Sequence, residues 1–163
     1  MQNDFIDGAL GTKEAEAIVP RVLARLKAHT SDVFFTRDTH APDYLDTAEG
    51  KKLPVPHCIK GTDGWQIRDE LLPFVTDENV IDKPTFGSVE LAKTLKERYD
   101  EKDASFTLVG LCTDICVISN AMMIKAHLPE ARIAVEAALC AGVSPESHER
   151  ALSAMQMCQI EVI

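Results

Sequence analysis

The residues best able to do chemistry in this chain are a cysteine, a lysine and a set of carboxylates and imidazoles. Cys116 lies in the stretch Leu108-Val109-Gly110-Leu111-Cys112-Thr113-Asp114-Ile115-Cys116-Val117-Ile118. Its apolar start reads as a strand that stops at Gly110, turns through Cys112-Thr113-Asp114 and restarts as a helix with Cys116 in the first turn. Unpaired N–H groups and partial positive charge at a helix N-terminus favour a thiolate and can hold a developing oxyanion. Taken alone, such a cysteine can equally be a small buried apolar residue. Lys83 follows a second strand. A lone lysine there is ordinarily a solvated surface residue, but near a cysteine its ammonium stabilises a thiolate and can shuttle protons. Asp38-Thr39-His40 places a carboxylate and an imidazole where both can face one cation, with His57 returning from a long loop. Glu49 or Asp46 could add an oxygen. Zn²⁺, Fe²⁺ and Mn²⁺ all accept such mixed ligands; the alternative is an Asp–His pair that merely caps a loop.

The elements that would position these groups alternate. Met1-Gln2-Asn3-Asp4-Phe5-Ile6-Asp7-Gly8 reads as a loop. Thr12 is an N-cap for a helix over 13–29, with Glu14 and Glu16 in its first turn and an apolar stripe of Ile18, Val19, Val22, Leu23 and Leu26. Strands are expected over 33–36, 79–82, 105–111, 132–136 and 160–163. Helices are expected over 65–72, 88–99, 115–127 and from Ser144-Pro145 to about Cys158, with serine as cap and proline at the first position. Residues 39–64 have little periodicity, and a loop that long in a compact domain is usually functional. Alternating strands and helices imply an α/β fold, a mostly parallel sheet with helices on both faces. Sites in such sheets lie beyond the carboxyl ends of the strands. Asp38, Lys83 and Cys116 all fall there, so they are expected to converge on one crevice.

Composition narrows the class. The chain has 163 residues, read as one domain over 1–163 with a core of its own, and 45% of them are hydrophobic. A net charge of −9 argues against nucleic acid or an anionic membrane as partner. No apolar run approaches the roughly 20 residues of a membrane span, and no signal peptide is read at the start. Five cysteines without repeat spacing fit reduced thiols in a cytoplasmic protein better than a disulfide framework.

Five motifs in order now carry a resemblance. Met1-Gln2-Asn3-Asp4-Phe5, Thr36-Arg37-Asp38-Thr39-His40, His57-Cys58, Lys83-Pro84-Thr85-Phe86-Gly87 and Gly110-Leu111-Cys112-Thr113-Asp114-Ile115-Cys116-Val117 together resemble the isochorismatase-like cysteine hydrolases. The Asp-x-His…His set looks most like their nicotinamidase branch. The resemblance implies a doubly wound, Rossmann-like α/β fold and an Asp–Lys–Cys triad. Cys116 would be the nucleophile and Lys83 the triad lysine. One divalent metal, zinc before iron or manganese, would be held by Asp38, His40, His57 and Glu49, with Asp46 the alternative to Glu49. Leu111-Cys112 falls where the family has a cis peptide bond, and the N–H groups of Cys112 and Cys116 would form the oxyanion hole. Phe5 matches an aromatic that packs on the substrate ring; it can also be read as a core phenylalanine.

The same resemblance places the triad aspartate immediately before the residue matched by Met1, at the end of a first strand. Both are absent from the sequence, which is expected to be truncated, and Asp4 does not stand in for that aspartate. The implied activity is hydrolysis of nicotinamide to nicotinate and ammonia through a cysteine thioester, in NAD metabolism, with a small amide as the partner and room for a homo-oligomer. The alternatives are a relative acting on another small amide or carbamoyl compound, an inactive homologue, and a zinc or redox module using Cys58, Cys112 and Cys116. His127 and His148 read as surface residues; Cys140 and Cys158 read as core.

Overall fold

A computed structural model describes residues 1–163. The chain forms two compact units, Met1–Thr85 and Phe86–Ile163. Each is an α/β assembly whose strands pair in parallel.

The first unit opens with a short helix, α1 (Asn3–Ile6), where the sequence reads as a loop. Helix α2 (Lys13–Ala28) begins as expected: the Thr12 hydroxyl accepts from the Ala15 N–H at 3.0 Å, and Ala15, Ile18, Val19 and Val22 form its buried stripe. Strand β1 (Phe35–Asp38) runs parallel to β2 (Val80–Lys83), with Asp38 opposite Lys83. β1 starts two residues later than its β-branched and aromatic residues suggest, because pairing with β2 sets its bounds. The helix expected over 65–72 does not form. Ile67 instead bridges antiparallel to Gln2, Asn3 donates to Gln66 and Arg68 donates to Met1, so this backbone is extended. Only Asp69–Phe74 coils, as a tight 3₁₀ turn.

The second unit contains α3 (Val89–Arg98), β3 (Ser105–Leu111), α4 (Ile118–His127), β4 (Arg132–Ala141), α5 (Pro145–Met157) and β5 (Glu161–Val162). β4 is central, flanked by β3 and β5. Ile133, Val135, Leu95, Ala121, Ile124 and Met155 are among the residues that fill its core. β4 runs five residues beyond the expected end at Glu136. A register shift after Leu108 lets Gly110 and Leu111 pair with Cys140 and Ala141. Gly110 has φ +114°, a conformation glycine adopts without steric cost. Ser144 caps α5 in a reciprocal capping box with Ser147. Cys158, expected in the core, is exposed, because α5 ends there and the chain turns through Gln159 at φ +65°.

Candidate active site

In the first unit, parallel register puts Asp38 and Lys83 side by side at the strand ends. The Lys83 ammonium bonds the Asp38 carboxylate and donates to the Thr85 carbonyl at 3.1 Å. Both residues are buried, so Lys83 is not the solvated lysine its type would suggest. A residue without an expected role secures them. Gln2 is only 2% exposed. Its amide accepts from the Asp38 N–H at 2.7 Å and donates to the Asp38 carbonyl at 2.8 Å and the Trp65 carbonyl at 3.0 Å. The side chain thus supplies to the end of β1 the donor and acceptor a neighbouring strand would supply.

Beyond β1 the chain brings His40, Glu49 and His57 together. One ligand atom from each lies within 4.8 Å of the others. His40 is fixed by a bridge to the segment after His57: its N–H donates to the Cys58 carbonyl at 3.0 Å, and its carbonyl accepts from Lys60 at 2.9 Å. Glu49 is placed by the turn after Tyr44–Asp46, where a side chain at Gly50 would lie 2.1 Å from the Tyr44 carbonyl oxygen. The Tyr44 ring packs against both imidazoles, at 4.8 and 5.0 Å between centroids, and Phe5 meets His57 edge-on at 5.5 Å. Asp46 is exposed in its own turn, so Glu49 is the acid that joins the histidines. Asp38 is not in the group; it lies on Lys83.

The donor chemistry of this cluster suits a divalent metal. His57 Nδ1 donates to the Val55 carbonyl at 2.9 Å, so Nε2 is the ring nitrogen left to face a ligand. Glu49 Oε1 is 3.6 Å from His57 Nε2 and 3.9 Å from His40 Nε2, too far for hydrogen bonds. His40 Nε2 is buried without a hydrogen-bond partner. Burial, with Glu49 opposing it, lowers the His40 pKa and favours the neutral imidazole that metals bind. Two imidazole nitrogens and a carboxylate are a three-ligand set of the zinc type.

In the second unit, Cys112 caps and Cys116 lies within a wide turn, Thr113–Val117, of the π type. Both the Ile115 and Val117 N–H groups donate to the Cys112 carbonyl, at 3.2 and 3.0 Å. Cys116 therefore sits before the regular helix, not in its first turn. The Leu111–Cys112 peptide is cis. Three side chains hold the turn. Asn120, 5% exposed, donates to the Cys116 carbonyl at 2.8 Å and the Phe86 carbonyl at 3.2 Å, and accepts from Ser88 N–H at 2.9 Å. The buried Thr113 hydroxyl meets His148 Nδ1 at 2.8 Å, so His148 is more than the surface residue it reads as. Asp114 accepts from Val143 N–H at 3.1 Å. An asparagine one turn after the cysteine, buried on helix α4, was the available signal for Asn120.

A cysteine on a strand-to-helix turn, a buried lysine–aspartate pair after parallel strands, and a histidine–carboxylate cluster are features of an α/β hydrolytic enzyme. The isochorismatase domain model matches residues 1–163, and the chain belongs to that family. Among its relatives is an uncharacterized isochorismatase family protein, PncA, of Bacillus subtilis (strain 168). It is 30% identical over 93% of this chain and 87% of that protein. The fold is similar to the pyrazinamidase/nicotinamidase of Streptococcus mutans UA159: 29% identity, TM-score 0.81, covering 99% of this chain and 95% of that one. It is also similar to the pyrazinamidase of Pyrococcus horikoshii in complex with zinc: 26% identity, TM-score 0.76, covering 100% and 94%.

Proposed function

We propose that this chain is a metal-assisted cysteine amidohydrolase, a nicotinamidase that converts nicotinamide to nicotinate and ammonia. The observation that carries the reading is the His40–Glu49–His57 donor set in a chain of this family. In this reading the Cys116 thiolate attacks the carboxamide carbon. Lys83 supplies the positive charge that favours the thiolate and helps pass the thiol proton to the departing amine. The Cys112 and Cys116 N–H groups take the oxyanion. Ammonia leaves, and water hydrolyses the thioester to release nicotinate. A zinc ion held by His40, Glu49 and His57 would supply a Lewis acid that holds the pyridine nitrogen and orients the ring. Phe5 flanks the substrate ring. Nicotinate production fits recycling toward NAD in the cytoplasm.

The test is ammonia release from nicotinamide, pyrazinamide and a panel of small amides and carbamoyl compounds, with and without chelator. Nicotinamide turnover that chelation suppresses and zinc restores is expected. Cys116→Ala should abolish turnover while keeping the native circular dichroism spectrum, and activity retained in that variant would refute the assignment. Turnover of a carbamoyl compound in place of nicotinamide would favour the second enzyme reading.

A further inference from the structure

We infer that Asp4 is a positioning residue for the metal cluster, setting both His40 and His57 through Cys58; the inference rests on the metal reading above. Asp4 is far from either histidine in sequence, yet its carboxylate Oδ2 accepts the Cys58 N–H at 2.7 Å, one of the shorter long-range bonds in the unit. Its Oδ1 accepts the Ala9 N–H at 3.2 Å. The Asp4 main chain is anchored as well, donating to the Gly64 carbonyl at 3.0 Å and accepting from Leu10 at 2.8 Å.

Cys58 is where this grip matters. It follows His57 directly, and its carbonyl accepts the His40 N–H at 3.0 Å. One residue therefore links the two imidazole-bearing segments. Cys58 has φ +48°, left-handed and strained for a side chain with a Cβ. Strain of this kind persists only where the surroundings enforce it. A charge-assisted bond from Asp4 to the Cys58 N–H is such an enforcement. If it is lost, Cys58 is free to relax toward negative φ, which would swing His57 and loosen the His40 bridge.

Gly64 bears on the same point. A Cβ there would lie 2.2 Å from the Asp4 carboxylate. Gly64 has no positive φ that would itself call for glycine. The room it leaves is room for the carboxylate.

The experiment measures zinc affinity of the metal-free protein by competition with a chromophoric chelator. Asp4→Asn keeps the size and removes the charge. Gly64→Ala keeps Asp4 and displaces its carboxylate, and it carries the test if Asp4→Asn does not fold. Both are expected to weaken zinc binding about 10–100-fold, the usual consequence of losing an outer-shell partner, with activity recovering at excess zinc. Asn3→Ala is the control: it removes the 3.0 Å bond from Asn3 to the Asp63 carbonyl on the same turn and should lower the melting temperature without changing zinc affinity. Zinc affinity within two-fold of wild type in both Asp4→Asn and Gly64→Ala overturns the inference. So does an equal loss in Asn3→Ala, which would make the effect one of general loosening. Failure of the wild-type protein itself to bind zinc is the separate result that removes the metal reading.

Discussion

The cysteine turn and the histidine cluster are built in opposite ways. The turn follows β3, which is paired to β4 at residues 105–108 and again at Gly110 and Leu111. Regular backbone pairing delivers Cys112 to its place, and side chains are needed only for the last few residues: Asn120, Thr113 and Asp114. The histidine cluster comes from residues 39–64, whose regular structure is one short 3₁₀ helix, Tyr44–Asp46, and one isolated bridge, His40 to Ile59. There Gln2 and Asp4 reach across 36 and 54 residues to Asp38 and Cys58, and Tyr44 bonds Leu53 within the loop. Backbone polar groups that lack a ladder must be satisfied by individual side chains. A site on a ladder therefore tolerates the loss of one side chain better than a site in a loop does.

The largest effect should come from the cluster. His57→Ala removes a ligand of the three-ligand set, and zinc affinity should fall by more than about 100-fold, read by competition titration. Unchanged affinity would break the comparison by leaving the loop with no metal to hold.

A buried amide in each unit gives the next test. Asn120→Ala leaves the Ser88 N–H and the Cys116 and Phe86 carbonyls without that partner. Gln2→Ala does the same to the Asp38 N–H and the Asp38 and Trp65 carbonyls. Each should cost about 2–3 kcal/mol in chemical denaturation, since unsatisfied buried groups retain their desolvation penalty. Gln2→Ala should in addition weaken zinc binding several-fold, because Asp38 begins the segment that carries His40. Equal stability losses with zinc affinity unchanged in Gln2→Ala would show that the loop site does not depend on its side-chain props.

The last effect appears only at alkaline pH and belongs to the regular part of the second unit. Burial pushes the Cys140 thiol on β4 from its usual 9.0 up to about 12. The folded state thus keeps a proton that the unfolded chain loses above about pH 9. The stability this represents is complete below pH 9 and is lost as pH rises toward 12, at up to about 1.4 kcal/mol per pH unit from this one group. Cys140→Ala should flatten the alkaline limb of the stability profile, and an unchanged limb would place the titrating group elsewhere.

Much of this arrangement was legible in the sequence where the signals are local. The Thr12 and Ser144 caps set their helices as read, because a cap bonds within its own turn. The strand before Cys112 was correct to the residue, Ser105–Leu111. Periodicity failed where pairing decided the outcome. β4 outran its apolar pattern because β3 continued past its bulge, and residues 65–72 stayed out of a helix because 66–68 pair with the N-terminal turn. At Thr113–Val117 the sequence reads as a turn through Asp114 and a regular helix from Ile115, since Ile115-Cys116-Val117 has the composition of a helix start; the structure makes one wide turn of the whole segment.

By itself the sequence determined which side chains could do chemistry: a cysteine after a strand, a lysine after another, and an Asp-x-His with a distant histidine. It did so because residue type and short spacing are local properties. Only the tertiary structure decided how the polar groups pair. It put Glu49, and not Asp46, between the histidines, laid the Asp38 carboxylate on Lys83, and gave Gln2 and Asp4 their partners. Those choices depend on which buried donors and acceptors lack a backbone partner, and that is fixed only when distant segments meet.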